Sequence, residues 1–167
     1  MNQDVYQLTR ILASLLMQKS IRICTAESCT GGLIAKTFTD LAGSSEWFDR
    51  SFVTYSNQSK IDMLGIQSST LNKFGAVSED IAREMVAGAL KFSEAQLAVS
   101  VTGIAGPGGG SDDKPVGTVC FGFALKGKTA SEKIWTEKKW FNGEREQVRE
   151  ASLLFVLNRL NEVIISN

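Results

Sequence analysis

Residues 21–32 have the sequence Ile-Arg-Ile-Cys-Thr-Ala-Glu-Ser-Cys-Thr-Gly-Gly. Residues 21–26 are mostly apolar and rich in β-branched side chains, which predicts a short buried strand. The glycine pair falls in the first turn of a helix that we predict over residues 29–41, ending near Gly43. A buried strand followed directly by a helix is the unit from which parallel sheets covered by helices are built.

The segments on both sides of this unit extend the same pattern. In the first half, we predict helices over residues 4–18, 57–64, 69–74 and 78–92, and strands over 52–55 and 97–101. In the second half, we predict strands over 116–125 and 133–141, joined by a turn at Lys126-Gly127-Lys128, and a final helix over about 142–164. We therefore expect a three-layer α/β/α single domain over residues 1–167, with a mixed, mainly parallel sheet that carries an antiparallel hairpin.

Composition excludes several classes of partner. Lys+Arg and Asp+Glu both number 18, so the formal net charge is zero. Binding to nucleic acid or to an anionic membrane surface usually needs a basic excess or stripe, and no apolar run approaches the roughly 20 residues of a membrane span. Cys24, Cys29 and Cys120 are odd in number and form no CxxC pair, which fits a reduced intracellular setting. We expect a cytoplasmic protein without nucleic-acid or membrane partners.

The chain contains no histidine. This excludes the Ser-His-Asp and Cys-His devices, and it leaves few ligands for zinc. No glycine-rich dinucleotide fingerprint follows the first strand, so we expect neither a metal nor a cofactor. Acid–base chemistry near neutral pH must then use a lysine, tyrosine, cysteine or carboxylate whose pKa is shifted by its surroundings.

Three matches to catalytic patterns lie in the wrong context. Residues 122–129 fit the phosphate-loop pattern GxxxxGK[ST], but they continue a predicted strand instead of leading into a helix. Residues 111–114 fit S-x-x-K, but they follow three glycines in a predicted loop, whereas that device needs a helix. Tyr55 and Lys60 are one residue too far apart for the Tyr-x-x-x-Lys pair of short-chain dehydrogenases.

Ser28 follows the first predicted strand and is a candidate nucleophile. Backbone N–H groups near Thr30, Gly31 and Gly32 would face a ligand there as an oxyanion hole, and the glycines would let a substrate approach the backbone closely. The alternative is that Ser28 or Thr30 caps the helix, which is the commoner use of such residues. Cys29 is another possible nucleophile, although no histidine could ionise it and small buried packing fits it better.

Tyr55 and Lys60 follow the second predicted strand. A lysine can act as a base only if burial or a nearby cation lowers its pKa by several units. The alternative is a solvated surface lysine, the ordinary state of this residue type.

Two further segments could bind a ligand. The glycine-rich loop over residues 101–110 could wrap a small molecule or phosphate, or simply connect two strands. Arg145 and Arg149, one turn apart at a helix start, could clamp a phosphate. Pairing of these arginines with Glu146 and Glu150 on the surface is equally plausible.

Four segments together resemble a known family. They are Ala-Glu-Ser-Cys-Thr-Gly-Gly at 26–32, Val-Thr-Tyr-Ser-Asn at 53–57 with Lys60, Gly-Ile-Ala-Gly-Pro at 103–107, and Lys-Pro-Val-Gly-Thr at 114–118. In the same order, they resemble motifs of the C-terminal domain of the competence/damage-inducible protein CinA. The resemblance covers about residues 5–160; one departure is Gly108, where the family often has an acidic residue.

This resemblance implies deamidation of nicotinamide mononucleotide to nicotinate mononucleotide and ammonia, within pyridine nucleotide recycling. It assigns the nucleophile to Ser28, the base to Lys60 and an active-site tyrosine to Tyr55. Weaker candidates for binding the phosphate or ribose of this small-molecule nucleotide substrate are Thr102, Gly103 and Arg145. The resemblance also implies a homo-oligomer.

The resulting hypothesis is a Ser-Lys mechanism that passes through an acyl-enzyme. Neutral Lys60 takes the proton of Ser28 as Oγ attacks the carboxamide, and Lys60, through Tyr55, then protonates departing ammonia. One alternative is a catalytically silent nucleotide-binding or regulatory module of the same fold, and another is an amidase for a different small amide.

Overall fold

The computed structural model describes residues 2–127 and 132–166. Its elements, in chain order, are α1 (Gln3–Gln18), β1 (Ile23–Glu27), α2 (Leu33–Thr39), a 3-10 turn (Ser44–Glu46), β2 (Phe48–Val53), α3 (Asn57–Leu64), α4 (Ser68–Phe74), α5 (Glu79–Lys91), β3 (Leu97–Gly103), β4 (Thr118–Lys126), β5 (Glu132–Trp140) and α6 (Arg145–Ile165). No helix within these described ranges is long and apolar enough to span a membrane.

The five strands form one mixed sheet in the order β2-β1-β3-β4-β5. β1 pairs in parallel with β2 and β3, whereas β4 pairs antiparallel with β3 and β5. Four of the five strands therefore run in one direction, and only β4 is reversed. The predicted mixed, mainly parallel sheet with an antiparallel hairpin is confirmed.

Helices cover both faces of the sheet. One core lies beneath α1, α2 and α6 and includes Leu16, Phe38 and Val156, while the other lies beneath α3, α4 and α5 and includes Leu64 and Met85. Side chains of β1 alternate between these two cores, which is why this strand is buried along its whole length. The three-layer α/β/α prediction is confirmed.

Several predicted boundaries were wrong by a few residues. The second strand begins at Phe48 and ends at Val53, before Tyr55. α2 begins at Leu33, four residues later than predicted, because Gly31 (φ 58°) and Gly32 (φ 92°) form a left-handed turn that delays the helix. α6 begins at Arg145 behind a cap formed by Glu144. The turn predicted at 126–128 lies partly outside the described residues.

The misleading pattern matches are also resolved. Residues 122–126 lie inside β4, so the phosphate-loop match is strand sequence, and its remaining residues 128 and 129 are not described. Residues 111–114 lie in a loop with no helix. Lys114 of that loop donates a hydrogen bond from Nζ to the carbonyl oxygen of Phe74 at 2.7 Å, which ties the long loop after β3 to the end of α4.

Candidate active site

A cleft of about 210 Å³ opens at the carboxyl ends of β1, β2 and β3. The connection from β1 to β2 runs through α2 on one face, and the connection from β2 to β3 runs through α3, α4 and α5 on the other. Where connections from neighbouring strands leave toward opposite faces of an α/β sheet, a crevice forms at the carboxyl ends of those strands. Ligands usually bind in this crevice. The cleft is lined by Ser28, Cys29, Tyr55, Asn57, Lys60, Ala76, Val77, Thr102, Gly103, Ala105 and Arg145.

The structure brings Ser28 and Lys60 together in this cleft. Ser28 directly follows β1, and its backbone N–H donates to the carbonyl oxygen of Val101 on β3 at 2.9 Å. Lys60 lies in the first turn of α3, which a capping box between Ser56 and Ser59 starts immediately after β2. The Nζ atom of Lys60 lies 3.0 Å from the Oγ atom of Ser28. A nucleophile within 3.2 Å of a basic group has the geometry required for its activation.

Lys60 is almost completely buried. Only 1% of the residue is exposed, and its Nζ atom donates to the carbonyl oxygen of Thr54 at 2.8 Å. Burial lowers the pKa of Lys60 because the charged ammonium loses its hydration. In the described part of the chain, no carboxylate forms an ion pair with Lys60. The alternative of a solvated surface lysine is therefore wrong.

The turn after Ser28 differs from the expected oxyanion hole. The N–H of Gly31 donates to the carbonyl oxygen of Ser28 at 3.0 Å, and the N–H of Gly32 donates to Oε2 of Glu27 at 3.1 Å. Neither group is available to a substrate, so the prediction that Gly31 and Gly32 supply these donors is wrong. Among residues 2–127 and 132–166, the N–H groups of Cys29 and Thr30 have no acceptor in another residue, although the N–H of Cys29 interacts with its own sulfur atom.

The glycines also have a structural role. A Cβ added at Gly31 or Gly32 would make only ordinary contacts with the protein, at 3.8 and 3.6 Å, so packing does not require glycine there, and close approach of a substrate stays a prediction. Their positive φ angles are the reason, because side chains rarely adopt that backbone conformation. The helix-cap alternative for Ser28 and Thr30 is wrong as well, since Gly32 holds the N-cap position and the side chain that accepts the first N–H groups of α2 is that of Glu27.

Tyr55 and Arg145 meet at the mouth of the cleft. Nη2 of Arg145 donates to the hydroxyl of Tyr55 at 2.5 Å, and Nη1 donates to the carbonyl oxygen of Gly106 at 2.9 Å. Tyr55 is 61% exposed and makes no hydrogen bond to Lys60 in the described structure. The predicted proton relay from Lys60 through Tyr55 therefore has no hydrogen bond to follow. Arg149 lies apart from the cleft lining and donates from Nη2 to the carbonyl oxygen of Thr30 at 2.9 Å.

The end of β3 forms one wall of the cleft. The hydroxyl of Thr102 donates to the carbonyl oxygen of Ala76 at 2.8 Å, which holds the turn before α5 against the strand. Gly103 has no room for a side chain, because a Cβ there would lie 2.8 Å from Cγ2 of Val119. Thr102 and Gly103 both line the cleft, and their contact with the substrate stays a prediction.

Cys29 lies beside the nucleophile but is unsuited to replace it. The residue is 7% exposed, and burial raises the pKa of its thiol to about 12. A thiol with such a pKa has almost no thiolate at neutral pH, and the thiolate is the reactive form. The buried packing role predicted for Cys29 fits this environment.

Sequence reasoning missed three parts of the site. Glu27 is fully buried beneath the nucleophile turn, and its sequence signals were a carboxylate directly after an apolar run and its place in the first CinA-like motif. Asn57 at the start of α3 lines the cleft, and its signal was its place at the end of the second motif, two residues after Tyr55. Ala76 and Val77 line the opposite side, and no sequence signal could have identified them because they act through backbone and shape.

A larger cleft of about 450 Å³ lies between α1, α2 and α6, away from these residues. Its one lysine, Lys36, is exposed and paired with Asp40 at 2.5 Å, so it has neither the burial nor the partner of Lys60. In the described ranges, no three His, Cys, Asp or Glu side chains cluster as metal ligands. The smaller cleft is therefore the candidate active site.

The cleft at the carboxyl ends of β1, β2 and β3 and the buried serine–lysine pair define an α/β enzyme. The family model described as "CinA C-terminal domain" matches residues 5–164. The chain therefore belongs to the CinA C-terminal domain family, and the resemblance predicted from its motifs is confirmed.

Three similar proteins illustrate this membership. A protein of Enterobacter agglomerans named nicotinamide-nucleotide amidohydrolase PncC is 50% identical over 98% of this chain and 97% of its own length. The protein of the same name from Escherichia coli strain K12 is 46% identical over 99% and 98% of the two chains. The crystal structure of a CinA superfamily protein from Klebsiella pneumoniae superposes with a TM-score of 0.91 at 34% identity, covering 99% of this chain and 100% of that one. The names of the first two relatives confirm the prediction of an amide hydrolase.

Proposed function

We propose that this protein hydrolyses the carboxamide of nicotinamide mononucleotide to give nicotinate mononucleotide and ammonia. The observation that carries the proposal is the 3.0 Å distance between Oγ of Ser28 and Nζ of the buried Lys60. The activity named for the relatives from Enterobacter agglomerans and Escherichia coli supports the choice of substrate.

The first half-reaction forms an acyl-enzyme. The carbonyl oxygen of Thr54 accepts one N–H of Lys60, which directs the lone pair of the neutral amine toward Ser28. Lys60 takes the hydroxyl proton as Oγ bonds to the carboxamide carbon. The N–H groups of Cys29 and Thr30 stabilise the negative charge that develops on the carbonyl oxygen.

The second half-reaction releases the acid. The tetrahedral intermediate collapses with cleavage of the C–N bond, and the Lys60 ammonium protonates the leaving nitrogen to give ammonia. A water molecule, deprotonated by Lys60, then attacks the ester carbon. Ser28 leaves with the proton from Lys60, and the carboxylic acid that forms gives its proton to water or to the released ammonia, which leaves the nicotinate carboxylate.

The charges of the cleft favour an anionic substrate. Its lining contains the guanidinium of Arg145 and no carboxylate. Two guanidinium contacts of Arg145 go to Tyr55 and Gly106, so further N–H groups remain for a phosphate at the mouth. We propose that Arg145 binds the nucleotide phosphate and that Tyr55, aligned by Arg145, contacts the bound nucleotide.

The cellular setting and assembly also belong to this proposal. The three cysteines are free and buried, which fits the reduced cytoplasm. We propose a homo-oligomer acting there on a small-molecule substrate.

The test of the activity is direct. Purified protein is incubated with nicotinamide mononucleotide, and ammonia and nicotinate mononucleotide are measured in equal amounts over time. Stoichiometric release of both supports the proposal. Absence of release, with binding of the nucleotide intact, supports a silent nucleotide-binding module, and release from other small amides only supports an amidase of different specificity.

Replacement of Arg145 tests recognition of the phosphate. We expect Arg145→Met to raise KM for nicotinamide mononucleotide by about 10- to 100-fold, the usual loss for a hydrogen bond to a charged group, with kcat within about threefold. The reaction of the riboside, which lacks the phosphate, should change little. Arg83→Met is the matched control, because Arg83 donates to the carbonyl oxygen of Ile134 away from the cleft. Equal losses on both substrates would contradict a phosphate contact.

A further inference from the structure

The fully buried carboxylate of Glu27, next to the nucleophile, has no place in the chemistry described above. Oε2 accepts the N–H groups of Gly32 and Ile34, each at 3.1 Å, and Oε1 accepts that of Ala35 at 2.8 Å. The hydroxyls of Thr25 and Ser51 lie 3.3 and 3.5 Å from Oε1. Within the described structure Glu27 pairs with no cation, so its partners are the start of α2 and two hydroxyls.

The same turn is held from its other side by α6. Arg149 donates from Nη2 to the carbonyl oxygen of Thr30, in the middle of the turn. Glu27 thus binds the end of the turn through N–H groups, and Arg149 binds its centre through a carbonyl group. Gly31 and Gly32 give the turn little stiffness of its own, since glycine populates many backbone conformations.

We propose that Glu27 and Arg149 are positioning residues that lock the turn of residues 28–32, an inference that rests on the proposed Ser28 chemistry. With the N–H groups of Gly31 and Gly32 already occupied, the turn leaves those of Cys29 and Thr30 as donors beside Oγ of Ser28. The nucleophile and both donors belong to one short segment. A displacement of about 1 Å in such a group can cost about 100-fold in rate.

Replacement of Glu27 by glutamine keeps the shape but not the acceptors. One carboxylate oxygen becomes an NH2 group, which would face backbone N–H donors at the start of α2. We expect kcat for nicotinamide mononucleotide to fall by about 10- to 100-fold while KM stays within about threefold. The pH at which kcat/KM reaches half of its maximum, which we expect to report the pKa of Lys60, should not move. The reason is that Glu27 makes no contact with Lys60.

Glu84→Gln is the matched control. The carboxylate of Glu84, a residue of α5, also accepts hydrogen bonds from the start of another helix. Its donors are the N–H of Gln67 at 2.8 Å and the hydroxyl of Thr70 at 2.6 Å, and it lies away from the cleft. Its replacement should leave kcat within twofold. A substitution that loosens the fold lowers the fraction of chains that have a working active site. A substitution that only displaces the nucleophile turn leaves that fraction unchanged and lowers the rate at each site.

A serine-directed phosphonate probe separates these two cases and does not depend on the substrate. We expect Glu27→Gln to be labelled at Ser28 to one equivalent per chain, but at least about tenfold more slowly than wild type. A wild-type chain that is labelled but releases no ammonia would refute the proposed substrate and leave the positioning test intact. The inference would be overturned if Glu27→Gln were labelled at the wild-type rate. It would also be overturned if the fall in kcat equalled the fall in the fraction of chains that can be labelled.

Arg149→Met provides the second variant if Glu27→Gln does not fold. It keeps an unbranched side chain and removes the guanidinium that contacts Thr30. We expect the same kind of effect as in Glu27→Gln but a smaller one, namely a fall in kcat of about 3- to 10-fold with KM unchanged. An unchanged kcat and labelling rate in this folded variant would overturn the role of the α6 contact and, where Glu27→Gln is unfolded, the inference as a whole.

Discussion

Ser28→Ala should lose at least about 1,000-fold in the rate of ammonia release from nicotinamide mononucleotide. Removal of a nucleophile leaves only the contribution of binding and of oxyanion stabilisation, and losses of several orders of magnitude are usual. Cys29 cannot take over, because its thiol is buried and burial raises its pKa to about 12. Substrate binding should persist, since the cleft lining is otherwise intact.

The measurement combines ammonia release with nucleotide binding by calorimetry and with urea unfolding. Ser152→Ala is the matched control, because Ser152 is also buried but, in the part of the chain that the structure describes, its hydroxyl bonds only to the carbonyl oxygen of Val148 within α6. That variant should keep wild-type activity. A Ser28→Ala protein that is folded and retains more than a few per cent of activity would refute the nucleophile assignment.

Lys60→Met should be nearly as inactive, with a loss of at least about 100-fold, since general-base contributions are usually 100- to 10,000-fold. Methionine keeps the length and apolar stem of the side chain but has no proton acceptor of comparable basicity. Lys60→Arg should not restore activity, because a guanidinium stays protonated at every accessible pH. Lys36→Met, at an exposed lysine, is the control. Substantial activity in Lys60→Met would show that another group removes the proton.

The pH dependence of the wild-type enzyme follows from the same lysine. In the proposed mechanism activity requires neutral Lys60, so kcat/KM should rise with pH through the lowered pKa and level off below the ordinary value of 10.5. Between these two pKa values the unfolded chain binds a proton that the folded chain does not, so the free energy of unfolding should also rise with pH. Lys60→Met should lose this contribution to the slope. A midpoint at or above 10.5 would contradict a neutral base.

The fold could be predicted closely from local pattern because its signals are local. Apolar runs, helical spacing and capping residues identify α3 at its observed limits, Asn57–Leu64. The error at α2 came from Gly31 and Gly32, whose sequence is compatible with a helix start but whose φ angles are left-handed. The second strand was predicted over residues 52–55 but lies at Phe48–Val53. Its residues are only partly buried, so the alternation of apolar and polar side chains that indicates a strand is weak there.

The candidate site was predictable only in part. Ser28 and Lys60 were candidates because each follows a strand, and parallel neighbouring strands end at one edge of the sheet, but only the resemblance to the CinA family implied their roles. Their 3.0 Å contact and the role of the Thr54 carbonyl depend on side-chain directions that no spacing rule provides. The partners of Tyr55 and Glu27 were missed for the same reason, since Arg145 lies 90 residues beyond Tyr55 in the chain.

The burial of the thiols has a consequence for chemical durability. Cys24, Cys29 and Cys120 are all buried, and burial raises the pKa of each thiol to about 11 or 12. Oxidation by peroxide proceeds through the exposed thiolate, so these sulfur atoms offer little for an oxidant to attack. A serine hydroxyl and a lysine amine do not undergo the stepwise oxidation of cysteine. We expect an amidase that works through the proposed serine–lysine pair to keep its activity under oxidising conditions that inactivate a cysteine amidase.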